Sequence, residues 1–128
     1  MCGAVRFEID APLVAASWCH CTRCRRRTGT PASVSARIEP GSLRVVQGEA
    51  LVREYLPERG FAKAFCGECG SALWSRNPDD PQMMSVRMGA FDGDPGIRPS
   101  FHQFTDYAAS WSPIPDDGLP RFPERRPA

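Results

Sequence analysis

Trp18-Cys19-His20-Cys21-Thr22-Arg23-Cys24 sets three cysteines in a C-x-C-x-x-C, and Phe65-Cys66-Gly67-Glu68-Cys69-Gly70 adds a C-x-x-C among glycines. A tight turn across C-x-x-C brings both sulfurs onto one tetrahedral metal at about 2.3 Å, a geometry that suits zinc. Gly67 and Gly70 sit where such a turn needs backbone freedom. Two clusters of this kind, with Cys2 as the sixth cysteine, predict cysteine-ligated metal rather than disulfides. A redox dithiol at Cys66 and Cys69 is the weaker reading, because thioredoxin-type pairs sit beside βαβ patterns and this chain has none.

Around the clusters the pattern is that of short strands. Val5 to Ile9 alternates apolar and polar residues and stops at Asp10-Ala11-Pro12. Leu13 to Trp18 runs straight into the first cluster, and Ser33 to Ile38, Leu43 to Gln47 and Leu51 to Tyr55 follow between strong turn signals. Phe61 to Phe65 leads into the second cluster, Ala72 to Ser75 leaves it, and Met83 to Met88 and Ser100 to Phe104 complete the set. One helical turn is expected, over Thr22 to Thr28, although its three adjacent arginines give it no apolar face. The segment from Ser112 carries five prolines and is expected to wrap the surface or fray.

With 128 residues, 13 prolines and 11 glycines, the chain reads as one mainly β domain whose modest core a metal staple would help to hold. A net charge of +1 gives no global field for nucleic acid or a membrane surface. No apolar run approaches the roughly 18 residues of a membrane span. The start, Met1-Cys2-Gly3-Ala4-Val5-Arg6, lacks the pattern of a secretory signal. The expected location is therefore the cytoplasm, where thiols stay reduced.

Spacing leaves the ligand sets open. Cys21, Cys24, Cys66 and Cys69 would form one closed site. Alternatively Cys2 joins Cys66 and Cys69, leaving Cys19, Cys21 and Cys24 as a three-thiolate site with an open position. The first arrangement is structural, and the second can do chemistry. If Cys19 to Cys21 is extended, both cysteines point to one face and His20 to the other, which makes His20 a poor ligand for the same metal.

Cys2-Gly3-Ala4-Val5-Arg6-Phe7, the C-x-C-x-x-C with Arg25-Arg26 after it, and Phe65-Cys66-Gly67-Glu68-Cys69-Gly70 together resemble the glutathione-dependent formaldehyde-activating enzyme (GFA) family, which includes centromere protein V. Met88-Gly89-Ala90-Phe91-Asp92, Pro99-Ser100-Phe101-His102 and Trp111-Ser112-Pro113-Ile114-Pro115-Asp116-Asp117 agree with it. The resemblance implies an Mss4-like fold of short antiparallel strands stapled by one or two zinc ions. It assigns residues 1–123 to the zinc-binding domain and 124–128 to a C-terminal tail. It makes Cys19, Cys21 and Cys24 the ligands of a reactive, open site and Cys2, Cys66 and Cys69 those of a structural one. The activity implied is a carbon–sulfur lyase acting on adducts of a thiol such as glutathione with an aldehyde. The alternative is a zinc-stabilised module that binds a thiol or a protein without turnover.

The family's first motif is C-x-C-G, of which this chain carries only the second cysteine, as Cys2 after Met1. Either the start lies elsewhere or the structural site lacks its fourth thiolate. Loss of Met1 would let the Cys2 amine serve as an additional donor.

The chemistry of the open site follows from charge. Three thiolates offset the pull of zinc on a bound water, so the site favours thiol substrates over hydrolysis. Of Arg25, Arg26 and Arg27, one at most is expected to receive a carboxylate of the thiol. His102, between Phe101 and Gln103, is expected to be packed rather than to shuttle protons. Trp74 and Trp111 are expected in the core.

Overall fold

The computed structural model describes residues 1–127. Ten strands run in the order β1 Arg6–Ile9, β2 Ala15–Cys19, β3 Ser33–Arg37, β4 Leu43–Gln47, β5 Val52–Tyr55, β6 Ala62–Cys66, β7 Ala72–Arg76, β8 Met84–Arg87, β9 Pro99–Gln103 and β10 Arg121–Phe122. The helix α1 spans Thr22–Thr28, between β2 and β3. Nine strands and the helix lie where alternation and turn residues place them; β10 does not announce itself in the sequence. Two residues between prolines have no period to read.

Eight strands form one sheet in the order β10-β9-β2-β3-β8-β7-β6-β5, and β1 pairs with β4 in a separate two-stranded ribbon. The pairs β2–β9 and β9–β10 are parallel, whereas the others are antiparallel. The long return from β8 through Met88–Arg98 lets β9 lie beside β2 in the same direction.

The core forms where the ribbon covers the large sheet. Ile38, Ala64, Leu73, Trp74 and Val86 are buried, and Phe7, Ile9, Leu43 and Val45 of the ribbon pack on them. The Phe7 ring meets Trp74 edge-on, with centroids 5.5 Å apart. Trp74 is thus core, as expected. Trp111 is not: it is 67% exposed. It stands in the middle of a turn closed by the Ser112 amide on the Ala109 carbonyl, and the small Ala109 takes the buried place instead.

The proline-rich end wraps rather than frays. His102 N–H donates to Pro120 O, Phe104 N–H donates to Glu124 O, and the Arg126 guanidinium lies 4.6 Å over the Phe101 ring. Residue 128, the last of the expected tail, lies outside the described residues. Among the described residues no helix is long and apolar enough to cross a membrane.

Candidate metal centres

The six cysteines fall into two groups of three. Cys19, Cys21 and Cys24 form one, and Cys2, Cys66 and Cys69 form the other, with the sulfurs of each group within 4.8 Å of one another. All six are free thiols. The alternative grouping of Cys21 and Cys24 with Cys66 and Cys69 is not formed.

Local structure explains each group. β2 ends at Cys19, and extended backbone at Cys21 (φ −63°, ψ 153°) turns the chain into α1. Cys21 Sγ accepts the Cys24 amide at 3.3 Å, so the first turn of the helix carries two of the sulfurs to one point. Gly29, in the left-handed region at φ 66°, ends the helix after two turns. In the second group the Gly70 amide donates to Cys66 O at 2.8 Å, which folds C-x-x-C into a knuckle. Cys2 reaches it from the chain's other end, its sulfur 3.8 Å from that of Cys66.

The donor sets fit a metal. A tetrahedron of thiolates at about 2.3 Å from zinc has edges of about 3.8 Å, and the Cys2–Cys66 separation of 3.8 Å equals such an edge. Each group can hold a metal ion.

Electrostatics at the first group favours one ionised sulfur, that of Cys24. Hydrogen bonds from Cys19 and Cys21 hold the Cys24 thiol well below the ordinary thiol range, and Ser33 and Arg87 add to the effect. The same bonds, with burial, push the Cys19 thiol up, so Cys24 yields its proton first. Arg87 is buried, donating through Nη1 to Ser35 Oγ at 2.9 Å. At the second group, hydrogen bonding from Ser71, whose Oγ lies 3.1 Å away, lowers the Cys69 thiol to about 6.

A cleft of about 630 Å³ lies against α1, lined by Arg23, Arg26, Arg27, Lys63, Tyr55 and Phe65. Four cations facing Glu58 alone give it a positive interior. The Arg27 guanidinium is committed to the protein, donating to Ser75 Oγ at 3.0 Å and Ala64 O at 2.7 Å. Burial lowers its pKa to about 10. Burial likewise lowers that of Lys63, against the opposing pull of the Cys24 thiolate. Arg23 reaches across to the carbonyl of Arg59, joining the helix to the β5–β6 turn. Arg26 is exposed in the cleft.

His20 points away from the sulfurs, as the extended arm predicts. It is buried and hydrogen-bonds His102. His102 is packed, as expected, but it also joins a polar chain that single-residue reading does not foresee. Its Nδ1 lies 2.8 Å from His20 Nε2, and its Nε2 lies 2.8 Å from Asp117 Oδ2. Burial, and the nearness of His102 and Arg121, hold the His20 imidazole below its ordinary pKa. Nothing in the sequence singles out Arg87 or Lys63 either. In a strand both read as solvent-facing charges until the neighbouring strands are in place.

Known proteins bear on this geometry. Residues 1–107 match the family model described as "Glutathione-dependent formaldehyde-activating enzyme". A Halomonas elongata protein named "Putative glutathione-dependent formaldehyde-activating enzyme" is 30% identical over a 99-residue alignment that covers 73% of this chain and 63% of that one. The chain therefore spans less than two thirds of the length of that relative. A crystal structure of a Rhodobacter sphaeroides protein is 25% identical and superposes with a TM-score of 0.60 over 94% of both chains.

Proposed function

The chain belongs to the glutathione-dependent formaldehyde-activating enzyme family, and we propose that it joins a thiol to an aldehyde, or parts them, at Cys19, Cys21 and Cys24. One observation carries this reading: of the two groups of three sulfurs, each without a fourth His, Cys, Asp or Glu among the described residues, the first includes Cys24 on the helix whose Arg23, Arg26 and Arg27 line the cationic cleft. Residues 1–123 are the zinc-binding domain in this reading, with 124–128 as its tail. Cys2, Cys66 and Cys69 are the ligands of a structural zinc and Cys19, Cys21 and Cys24 those of the working one.

Cys19, Cys21 and Cys24 would hold the zinc, which would favour the thiolate form of a further thiol. The protein's residues supply the rest. Arg26, exposed in the cleft, would receive a carboxylate, so the thiol it selects carries negative charge away from its sulfur, as glutathione does. Arg27, fixed on Ser75 and Ala64, keeps the wall of the cleft in shape and adds positive field. Lys63 lies in the same cleft. Its burial eases proton release, which suits it to protonate an oxygen that gains charge.

The reaction is an addition. The thiolate sulfur bonds to the aldehyde carbon, the carbonyl π pair moves to oxygen, and that oxygen takes a proton to give the hydroxymethyl thioether. The reverse releases aldehyde and thiol. Exchange between formaldehyde, glutathione and their adduct, followed by proton exchange NMR with stoichiometric zinc-loaded protein, tests this. Acceleration lost in Cys19→Ser is expected. Rates equal to the uncatalysed exchange would leave a binding module in place of an enzyme.

A further inference from the structure

We propose that Asp117, His102 and His20 form a positioning strap that holds the Cys19–Cys21 arm in its metal-binding shape; this rests on the reading of Cys19, Cys21 and Cys24 as ligands. The arm leaves the sheet at the end of β2, so Cys21 has no strand partner to fix it. What fixes the arm lies behind it. The His20 amide donates to Gln103 O at 3.0 Å, and the His20 side chain meets His102, with ring centroids 5.1 Å apart. His102 is 2% exposed and is stacked by Trp18 at 6.3 Å, with 14° between the ring planes. The strap ends at Asp117, whose side chain is 29% exposed and which comes from the proline-rich wrap.

The proton positions follow from the acceptor at the end. A carboxylate accepts, so His102 carries its hydrogen on Nε2. With His102 neutral, its Nδ1 presents a lone pair, and His20 donates to it from Nε2. One surface carboxylate thus sets the tautomers of two buried rings and, through His20, the orientation of the peptide between two thiolates. Without the carboxylate His102 takes either tautomer. In one of them two N–H groups face each other across 2.8 Å, and the pair must part or rearrange. Partners that orient a metal-binding group through hydrogen bonds typically change metal affinity by about 10–100-fold when removed.

The test uses the full zinc-loaded chain and a competing chelator. Release from the two groups is resolved by comparison with Cys19→Ser. Asp117→Ala is expected to speed release from Cys19, Cys21 and Cys24 by about tenfold and to leave release from Cys2, Cys66 and Cys69 unchanged. Asp117→Asn keeps one of the two accepting oxygens, which serve His102 and the Leu119 amide, and is expected to fall between the parent and Asp117→Ala. Should Asp117→Ala not fold, Asp117→Ser carries the same expectation. Imidazole nitrogen NMR gives a readout that mere loss of stability would not mimic. In the parent the Nδ1 of both His102 and His20 is unprotonated, and in Asp117→Ala both rings move to averaged tautomers. Equal acceleration of both phases, or no change in either with the histidine signals unmoved, overturns the strap. A parent chain that binds no metal at Cys19, Cys21 and Cys24 overturns the ligand reading beneath it.

Discussion

The sulfur of Cys2 lies 3.8 Å from the sulfur of Cys66, across 64 positions of sequence. Locally the Ala4 backbone hydrogen-bonds the Cys2 sulfur, but Cys2 is exposed and precedes the first strand. The arm that carries it is fixed from β4 and the turn after it. Gln47 Nε2 donates to Gly3 O at 3.1 Å, and the backbone of Gly48 passes close under Ala4.

Gly48→Ala is therefore expected to act on the metal site as well as on the turn. Gly48 has φ +74°, and a Cβ there would stand 2.1 Å from Ala4 O. The left-handed backbone alone costs about 1–2 kcal/mol for alanine, and the clash pushes the Cys2 arm away. Chelator competition should show faster metal release from Cys2, Cys66 and Cys69, with Cys19, Cys21 and Cys24 unaffected. Equal release from both groups would mean that the arm is held by something else.

The Cys69 thiol at about 6 makes a prediction for the metal-free chain. Because its folded pKa is depressed, the thiolate stabilises the fold above the unfolded thiol range, and that contribution is lost as pH falls through about 6. Iodoacetamide labelling followed by peptide mapping should modify Cys69 with a midpoint near pH 6, ahead of Cys2, whose thiol is raised. Labelling of both with a midpoint at the ordinary thiol value would remove the Ser71 hydrogen bond from the account.

Arg26 and Arg27 should separate into different roles. Arg26 is exposed in the cleft, so Arg26→Ala should weaken glutathione binding by about tenfold, as loss of a charge-assisted hydrogen bond does, with melting unchanged to about 2 °C. Arg27 holds Ser75 and Ala64, so Arg27→Met should lower stability by about 1–3 kcal/mol. Calorimetric titration with glutathione, beside thermal melts, checks both. A loss of stability in Arg26→Ala without a change in binding would reverse the assignment.

Much of the fold is legible in the chain because its strands are short and punctuated. Leu43 to Gln47 is bounded by Pro40-Gly41 and Gly48, and it forms with those limits. The C-x-x-C knuckle is legible for the same reason, since its chemistry is local. The division of the six cysteines into two groups is not local. Cys2 could be matched with Cys66 and Cys69 only through the family resemblance, because spacing carries no information about which strand ends meet. The His20–His102 pair spans 82 positions, and each member alone reads as a packed histidine. Arg87 reads as a surface charge at a strand end until β3 brings Ser35 against it. Trp111 misleads in the other direction. Its apolar bulk suggests the core, yet the turn at Ala109 to Ser112 faces it outward.

Whether Cys19, Cys21 and Cys24 hold a metal that accepts a further thiolate is read most directly by cobalt substitution. Glutathione titrated into the cobalt-loaded chain should raise the sulfur-to-cobalt charge-transfer band from a three-sulfur to a four-sulfur intensity, and Cys19→Ser should abolish the rise. A spectrum that does not respond to glutathione, or that already shows four sulfurs at this group before thiol is added, would contradict an open thiol-binding site.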